Sequence, residues 1–540
     1  MNSDNYSERS MTDTTADTSD AKGFLAWVER SGNKLPDPVF IFFYLILVLV
    51  AISVVVALLG LTADHPTQVT ADGSPVIIKS ASLLSAENIQ RLWVEMPKTF
   101  THFHPLGYVL VVMLGAGVAE RSGLFAAGIR QAVRGAPLFL LTPVVALVAM
   151  LSNHAADAGY VVMIPLAAIL FASAGRHPLA GIAAAFAGVS GGFSANISPG
   201  QLDALLFGIT EAAVDGSGLD PNWTMNIAGN WWFIAALMVI YLPVIWFVTD
   251  KIIEPRLGKW VPDERQAAEY GEEDKPLTDA QRKGLRRAGL AILAVCALWA
   301  VMTFAPGTPL LADETATPGQ AWYVTATPFF RSLVAGFMIL FLAAGWAYGS
   351  AAGSIKNHRD LVDMMAEAMK DMGYYLVLAF AAAHFVAMFN WSNLGLITAV
   401  HGANGIKASG LPLPLALGLI VIFAGFLNLF VGSASAKWAL LAPVLVPMLM
   451  LLGISPEGAT AAYRVGDGAT NIITPLMVYF PLILIFAQRW QKGFGIGSLT
   501  AMMIPYSIWL MVTGVILMML WIFLGIDLGP GAPIGYTLPG

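Results

Sequence analysis

A chain of 540 residues that is 57% hydrophobic and only 12% charged is a polytopic membrane protein, not a soluble one. Its net charge of −6 argues against nucleic acid as a partner, and its single cysteine, Cys296, excludes a disulfide framework or a cysteine metal centre. A soluble protein with buried helices would need polar faces on its apolar runs, and most of these have none.

Residues 1–22 are polar and rich in Ser, Thr and Asp, which predicts a disordered N-terminal tail. The first apolar run starts too late and is too long for a cleavable signal peptide. The stretch 23–38 reads as a short interfacial helix with Phe24, Leu25, Trp27 and Val28 toward lipid. A span needs roughly 20 apolar residues, and 39–62 supplies them, running outward if the N-terminus is cytoplasmic. Residues 105–125 return. Two short apolar pieces, 137–151 and 158–174, flank "SNHAADAG" (152–159) and predict a re-entrant hairpin whose second arm Asp157 can cap. An interrupted span, 178–214, then goes outward and 229–248 comes back. The linker 249–288 is dense in Lys and Arg, from Lys251 to Arg287, and is therefore cytoplasmic. Spans 288–304, 330–349 and 372–391 follow. A second hairpin, 412–452, enters from outside with "GSASAKW" (432–438) at its tip. An interrupted span, 458–487, and a last span, 499–525, leave an external tail at 527–540. The sum is an all-α membrane protein with nine crossings and two hairpins.

The two halves, 23–248 and 289–526, read as inverted repeats. Pro165, Gly175, Pro178 and Gly188 match Pro443, Gly453, Pro456 and Gly466 at one constant offset of 278 residues (443 − 165, for instance), and Tyr160 matches Trp438. Inverted repeats with hairpins and broken helices are an architecture of secondary transporters, with the binding site near the bilayer midplane.

The interruptions are "GVSGGFSANISPG" (188–200) and "GDGATNIITP" (466–475). Glycine and proline oppose a continuous helix there. Unpaired backbone at membrane depth survives only where it lines a cavity or is buried in protein. Ser198-Pro199 and Thr474-Pro475 predict the cap and first residue of restarted half-helices. Two positive helix ends meeting at the midplane favour an anionic ligand. Asn153, Asn196, Ser433 and Asn471, with freed carbonyls, offer oxygen ligands to a Na⁺ ion; capping of helix ends is the plain alternative for each.

A charge at the centre of a span costs about 2.5–3.5 kcal/mol on insertion scales, so the charges inside these segments stand out. Arg464 and Asp467 are three residues apart and can share a helix face. Either they neutralise each other, or Arg464 holds a substrate carboxylate and Asp467 positions or titrates with it. Asp203, one turn into the first restarted half-helix, suits proton coupling, or simply sits well near a helix N-terminus. Trp438 offers an aromatic face to a ring-bearing substrate, or packs. Lys437 can snorkel outward. His154 is a candidate proton relay at the first tip, and His384 is read as core. A channel would need a continuous polar pore, whereas these groups cluster at one depth. An enzyme is disfavoured by the lack of HExxH and GxSxG, and an ATP-driven pump by the lack of a GxxxxGK[ST] loop.

The stretches "SGGFSANISPGQLDALLFGITEAA", "GSASAKWALLAPVLVPMLMLLGISPEGATAAYRVGDGATNIITPLMVYFPL" and "LPDPVFIFFYL" resemble the aminobenzoyl-glutamate transporter family (AbgT type), over nearly the whole chain from about residue 23. The resemblance implies a homodimer in a bacterial inner membrane, with nine spans and two hairpins per protomer; the basic loops predict a cytoplasmic N-terminus and a periplasmic C-terminus. It implies uptake of p-aminobenzoyl-glutamate or export of sulfonamide antimetabolites, driven by H⁺ or Na⁺. The family's functional positions carry over onto Asp203, Asn428, Trp438, Pro456, Arg464 and Asp467. The wider superfamily also includes Na⁺-coupled carboxylate symporters.

Overall fold

The computed structural model describes residues 37–133, 137–155, 159–261, 276–305, 311 and 325–539. The expected tail 1–22, nearly all of the interfacial stretch 23–38, and Asp157 lie outside the described residues. Among those described, eight helices are long and apolar enough to cross a membrane. The chain is a helical, multi-span membrane protein.

Helix α1 (Pro38–Leu59) opens on Asp37, whose side chain accepts from the Val39 N–H, and closes on Gly60 at φ 69°. Residues 62–79, at the end of the first expected span and before the second, form strands β1 (Thr62–Val69) and β2 (Pro75–Lys79), an antiparallel ribbon with Thr62 opposite Lys79. The strictly all-α expectation is corrected to that extent: Asp72-Gly73 makes the turn, and Val76, Ile77 and Ile78 are β-branched strand formers. Helix α2 (Ala86–Thr101) precedes α3 (His104–Arg121), and α4 (Leu124–Val133) follows.

The first hairpin has arms α5 (Leu141–Leu151) and α6 (Ile164–Ser173), with a 3₁₀ turn at Ser152–Ala155 and a π turn at Gly159–Met163 between them. Helix α7 (Pro178–Phe186) runs into a π turn, Ala187–Gly191, then open backbone, before α8 (Gln201–Ser217). Helix α9 (Trp231–Phe247) completes this half. The second half comprises α10 (Asp279–Phe304), α11 (Leu333–Ala352), α12 (His358–Asp371), α13 (Gly373–Trp391) and α14 (Leu394–Ser409). Its hairpin has arms α15 (Leu413–Asn428) and α16 (Ala434–Leu451). Then come α17 (Pro456–Thr470), a 3₁₀ turn at Asn471–Ile473, α18 (Phe480–Trp490) and α19 (Ile496–Leu524). Helix α10 starts nine residues before the expected 288 because Thr278 and Gln281 form a reciprocal capping box.

Helices α10, α11 and α3 pack side by side, while α15 lies on α17, α16 on α8, and α17 on α19. Three of the pairs at the constant offset do matching jobs, whereas Pro165 lies in the first turn of α6 and Pro443 inside α16. Gly175 (φ 71°) and Gly453 (φ 85°) both turn the chain after a hairpin in a left-handed conformation that favours glycine. Pro178 and Pro456 both occupy the first turn of a helix. The residue before each is its cap: His177 Nδ1 accepts from Leu179 N at 3.2 Å, and Ser455 Oγ from Gly458 N at 3.2 Å. Gly188 and Gly466 let each helix press on the first arm of its own hairpin. A Cβ on Gly188 would lie 2.9 Å from the Ala146 carbonyl oxygen, and one on Gly466 2.1 Å from that of Val421.

Two details of the interruptions correct the sequence reading. Helix α8 is capped at Gly200, not at Ser198: the Asp203 carboxylate accepts from the Gly200 N–H at 2.8 Å. Helix α17 continues through Gly466 and Gly468 to Thr470, and α18 restarts at Phe480 behind Tyr479, not at Thr474-Pro475. Glycine in a helix costs about 1 kcal/mol against alanine. Here close backbone packing against Val421 and Gly425 uses the missing side chain, and the helix holds.

Candidate functional site

All fifteen residues of α17 are buried, so its charges need partners inside the protein. Arg464 and Asp467 do not pair with each other. Arg464 Nη1 donates to Asp203 Oδ1 at 2.7 Å, joining α17 to the start of α8. Asp467 accepts instead from Lys437 Nζ of α16. Each of these four side chains is at most 5% exposed. The outward snorkelling weighed for Lys437 is therefore corrected: its ammonium points inward, to Asp467 and to Asn428 Oδ1. Arg464 and Asp467 stand three residues apart, yet each finds its opposite charge on another element, Arg464 on α8 and Asp467 on α16.

Asn428, at the end of α15, ties this cluster to the second interruption. Its amide nitrogen faces the Asp467 carbonyl at 2.8 Å, Thr470 Oγ1 at 2.9 Å and Asn471 Oδ1 at 2.7 Å. Trp438 is fully buried and stacks on Tyr463, with ring centroids 4.5 Å apart. Its indole N–H donates to Thr210 Oγ1 at 2.9 Å, and Thr210 meets Thr460 at 2.8 Å. Tyr463 itself donates to the Ala434 carbonyl at the second hairpin tip, at 2.6 Å. Ser433 caps α16 through the Ala436 N–H at 3.3 Å, and Pro456 begins α17.

The sodium candidates separate into two places. Asn153 and Asn196 both donate to the Met150 carbonyl at the first hairpin tip, at 3.0 and 3.3 Å. Asn471 belongs to the Asn428 cluster. His154 bonds Ser198 across the first break at 2.9 Å. His384 is core, with Nδ1 against the Phe380 carbonyl at 2.7 Å. The two interruptions touch: the Ser190 hydroxyl donates to Met477 Sδ at 3.3 Å.

Three buried polar atoms around the contact have no hydrogen-bond partner among the described residues: Arg464 Nε, Ser194 Oγ and Thr474 Oγ1. Ser194 sits in the first break and Thr474 in the second. Buried polar groups are ordinarily satisfied, so these atoms mark where the protein can make further bonds, the guanidinium Nε as a donor and the hydroxyls as donors or acceptors. The arrangement balances two cations with two carboxylates and keeps one guanidinium donor in reserve. Sequence reasoning missed the inward role of Lys437, and missed Tyr463 and Thr210. Lys437 carried a usable signal, as a lone cation at a hairpin tip between Ser433 and Trp438.

Known proteins are similar to this chain in sequence and fold. The sequence profile of the AbgT transporter family matches residues 23–536. The p-aminobenzoyl-glutamate transport protein of Escherichia coli (strain K12) is 37% identical over 507 residues, 94% of this chain and 96% of that protein. The crystal structure of the Alcanivorax borkumensis YdaH transporter superimposes with a TM-score of 0.82 at 41% identity, covering 92% of this chain and all of that one. The Neisseria gonorrhoeae MtrF structure, described as illuminating a class of antimetabolite efflux pumps, gives a TM-score of 0.86 at 41% identity, covering 96% of this chain and all of that one. A transporter and not an enzyme, the chain belongs to the AbgT transporter family.

Proposed function

We propose that this transporter moves p-aminobenzoyl-glutamate and sulfonamide-type antimetabolites by secondary active transport coupled to a proton or sodium gradient. The observation that carries the reading is Arg464: a buried guanidinium held by one carboxylate, Asp203, with its Nε unpartnered among the described residues. A substrate carboxylate and Asp203 then compete for the same cation. A proton on Asp203 releases Arg464 to the substrate, and departure of that proton draws the guanidinium back to Asp203. Lys437 and Asn428 hold Asp467 in place beside this exchange, Trp438 on Tyr463 presents the aromatic wall, and Ser433 and Pro456 fix the helix ends around it. The similarity to the p-aminobenzoyl-glutamate transport protein supports an aromatic, carboxylate-bearing solute, and the similarity to MtrF supports antimetabolites.

The same reading takes 23–248 and 289–526 as inverted repeats, with nine crossings, two re-entrant hairpins and a cytoplasmic linker at 249–288. Matching roles of Gly175 and Gly453, of Pro178 and Pro456, and of Gly188 and Gly466 support it. The basic linker supports a cytoplasmic N-terminus and a periplasmic C-terminus in a bacterial inner membrane; the homodimer rests on the family resemblance. The second reading, a Na⁺-coupled carboxylate symporter, draws on Asn153 and Asn196 meeting at the Met150 carbonyl.

The test is flux of labelled p-aminobenzoyl-glutamate into proteoliposomes under separately imposed H⁺ and Na⁺ gradients, with wild type, Asp203→Asn and Arg464→Lys. Proton-driven flux in wild type that is lost in both variants supports the proposal. Undiminished flux in both refutes the assigned roles, and flux driven by Na⁺ alone favours the symporter.

A further inference from the structure

A second carboxyl lies on the face of α17 that carries Arg464. Glu457 sits in the first turn of that helix, Thr460 one turn on and Arg464 a further turn, a spacing of three and four residues that lines all three along one side. Glu457 is buried, and among the described residues no Lys, Arg or His forms an ion pair with it. Its neighbours are neutral. The side chains of Trp223 and Ser455 reach its carboxyl, and Asn230 is positioned to donate to its backbone carbonyl at 3.0 Å. From the C-terminal tail, Tyr536 lies within electrostatic reach and donates to Asp220. On α8, the Glu211 carboxylate is already taken by His104 Nδ1 at 3.2 Å, by the Tyr108 hydroxyl at 3.1 Å and by the Met225 N–H at 3.1 Å. Arg331 is held by Thr224 at 2.7 Å.

The tail closes over this carboxyl. Ser455 N donates to the Ile534 carbonyl at 3.0 Å, and Tyr536 N to that of Gly453 at 2.8 Å. A buried carboxylate without a cation is neutralised most readily by a proton. The helix N-terminus helps the anion, but only as a partial charge. Below Glu457, the Thr460 and Thr210 hydroxyls meet at 2.8 Å, and below them Arg464 meets Asp203 at 2.7 Å. Each of these hydroxyls donates to a carbonyl of its own helix, Thr460 to Pro456 and Thr210 to Leu206, both at 2.9 Å. Hydroxyls both donate and accept, so a turn of either one makes it a group that can pass a proton along the seam between α17 and α8.

We infer that Glu457 is a second proton-binding site, on the tail-covered side of the core, that loads Asp203 along the seam between α17 and α8. A proton taken from water closes an O–H bond on Glu457. Its onward transfer breaks that bond and closes one on Asp203, which frees Arg464. This inference rests on the proton-coupled reading of Asp203.

The test separates the two. Infrared difference spectra of the reconstituted full-length protein between neutral and acidic pH read carboxyl protonation directly, without transport. A protonated-carboxyl band that disappears in Glu457→Gln and shifts in Glu457→Asp supports the inference. So does loss of proton-driven accumulation of p-aminobenzoyl-glutamate in Glu457→Gln with counterflow exchange retained. A difference spectrum unchanged in Glu457→Gln overturns it, as does an unshifted band in Glu457→Asp, the variant that carries the test if the Gln protein does not fold. If Asp203→Asn keeps proton-driven flux, the coupling reading fails while the Glu457 band still answers for itself.

Discussion

The first interruption, residues 187–200, is made of a π turn and open backbone, and its polar groups are neutral until Asp203. The second, residues 471–479, follows a wholly buried helix that carries Tyr463, Arg464 and Asp467. One side of the site thus supplies freed backbone and amides, and the other supplies fixed charges on regular helix. A break held by amide-to-carbonyl bonds tolerates the loss of any one of them. A cluster of buried charges does not, because each removal leaves its partner uncompensated.

The largest effect expected from this contrast is Lys437→Met, which strands Asp467 at a cost of about 3–5 kcal/mol. Asn196→Ala in the first break removes a 3.3 Å bond to Met150 and costs about 1 kcal/mol. Thermal unfolding in detergent measures both, and equal losses would erase the distinction. Next comes Gly466→Ala, whose Cβ meets the Val421 carbonyl oxygen at 2.1 Å; overpacking of about 1–3 kcal/mol follows. Gly188→Ala meets the Ala149 Cβ at 2.6 Å and the Ala146 carbonyl oxygen at 2.9 Å, less close than the contact at Gly466, and should cost less, as the same melts will show.

Trp438→Phe keeps the stack on Tyr463 and loses the Thr210 bond, for about 1 kcal/mol. The smallest effect concerns the two caps. Burial holds the His177 imidazole below its ordinary range, only partly offset by Glu254, and its neutral Nδ1 is the acceptor that caps α7. The unfolded chain takes up that proton near pH ~6.5. This stabilisation is therefore complete above about pH 6.5 and fades as the pH falls through the lower folded value. A cap is worth about 1 kcal/mol. Ser455, the cap at the matching position, does not titrate, so His177→Ser should flatten the acid side of the stability profile, and an unaltered profile would contradict the assignment.

Much of the fold was legible because the bilayer forces it: apolar runs mark the spans, and Gly-Pro clusters mark the tips and breaks. The ribbon 62–79 and helices α2, α12 and α14 were not, since they lie between apolar runs and follow no span-length rule. Within the site, Asp203, Arg464 and Asp467 were found as charges that apolar surroundings make conspicuous. Their partners were not. Spacing along α17 suggested Arg464 with Asp467, whereas the pairs are made across elements far apart in sequence, Asp203 with Arg464 and Lys437 with Asp467. Such pairing is decided by how α8 and α16 pack on α17, which local spacing does not encode. The continuation of α17 past Gly466 was hidden for the same reason.

The central claim is that Asp203 and a substrate carboxylate exchange places on Arg464. Equilibrium binding of p-aminobenzoyl-glutamate across pH, in wild type and Asp203→Asn, tests it most directly. The account predicts that wild-type affinity rises as protons are supplied and that the variant binds with little dependence on pH. A variant that keeps the wild-type pH dependence would contradict it.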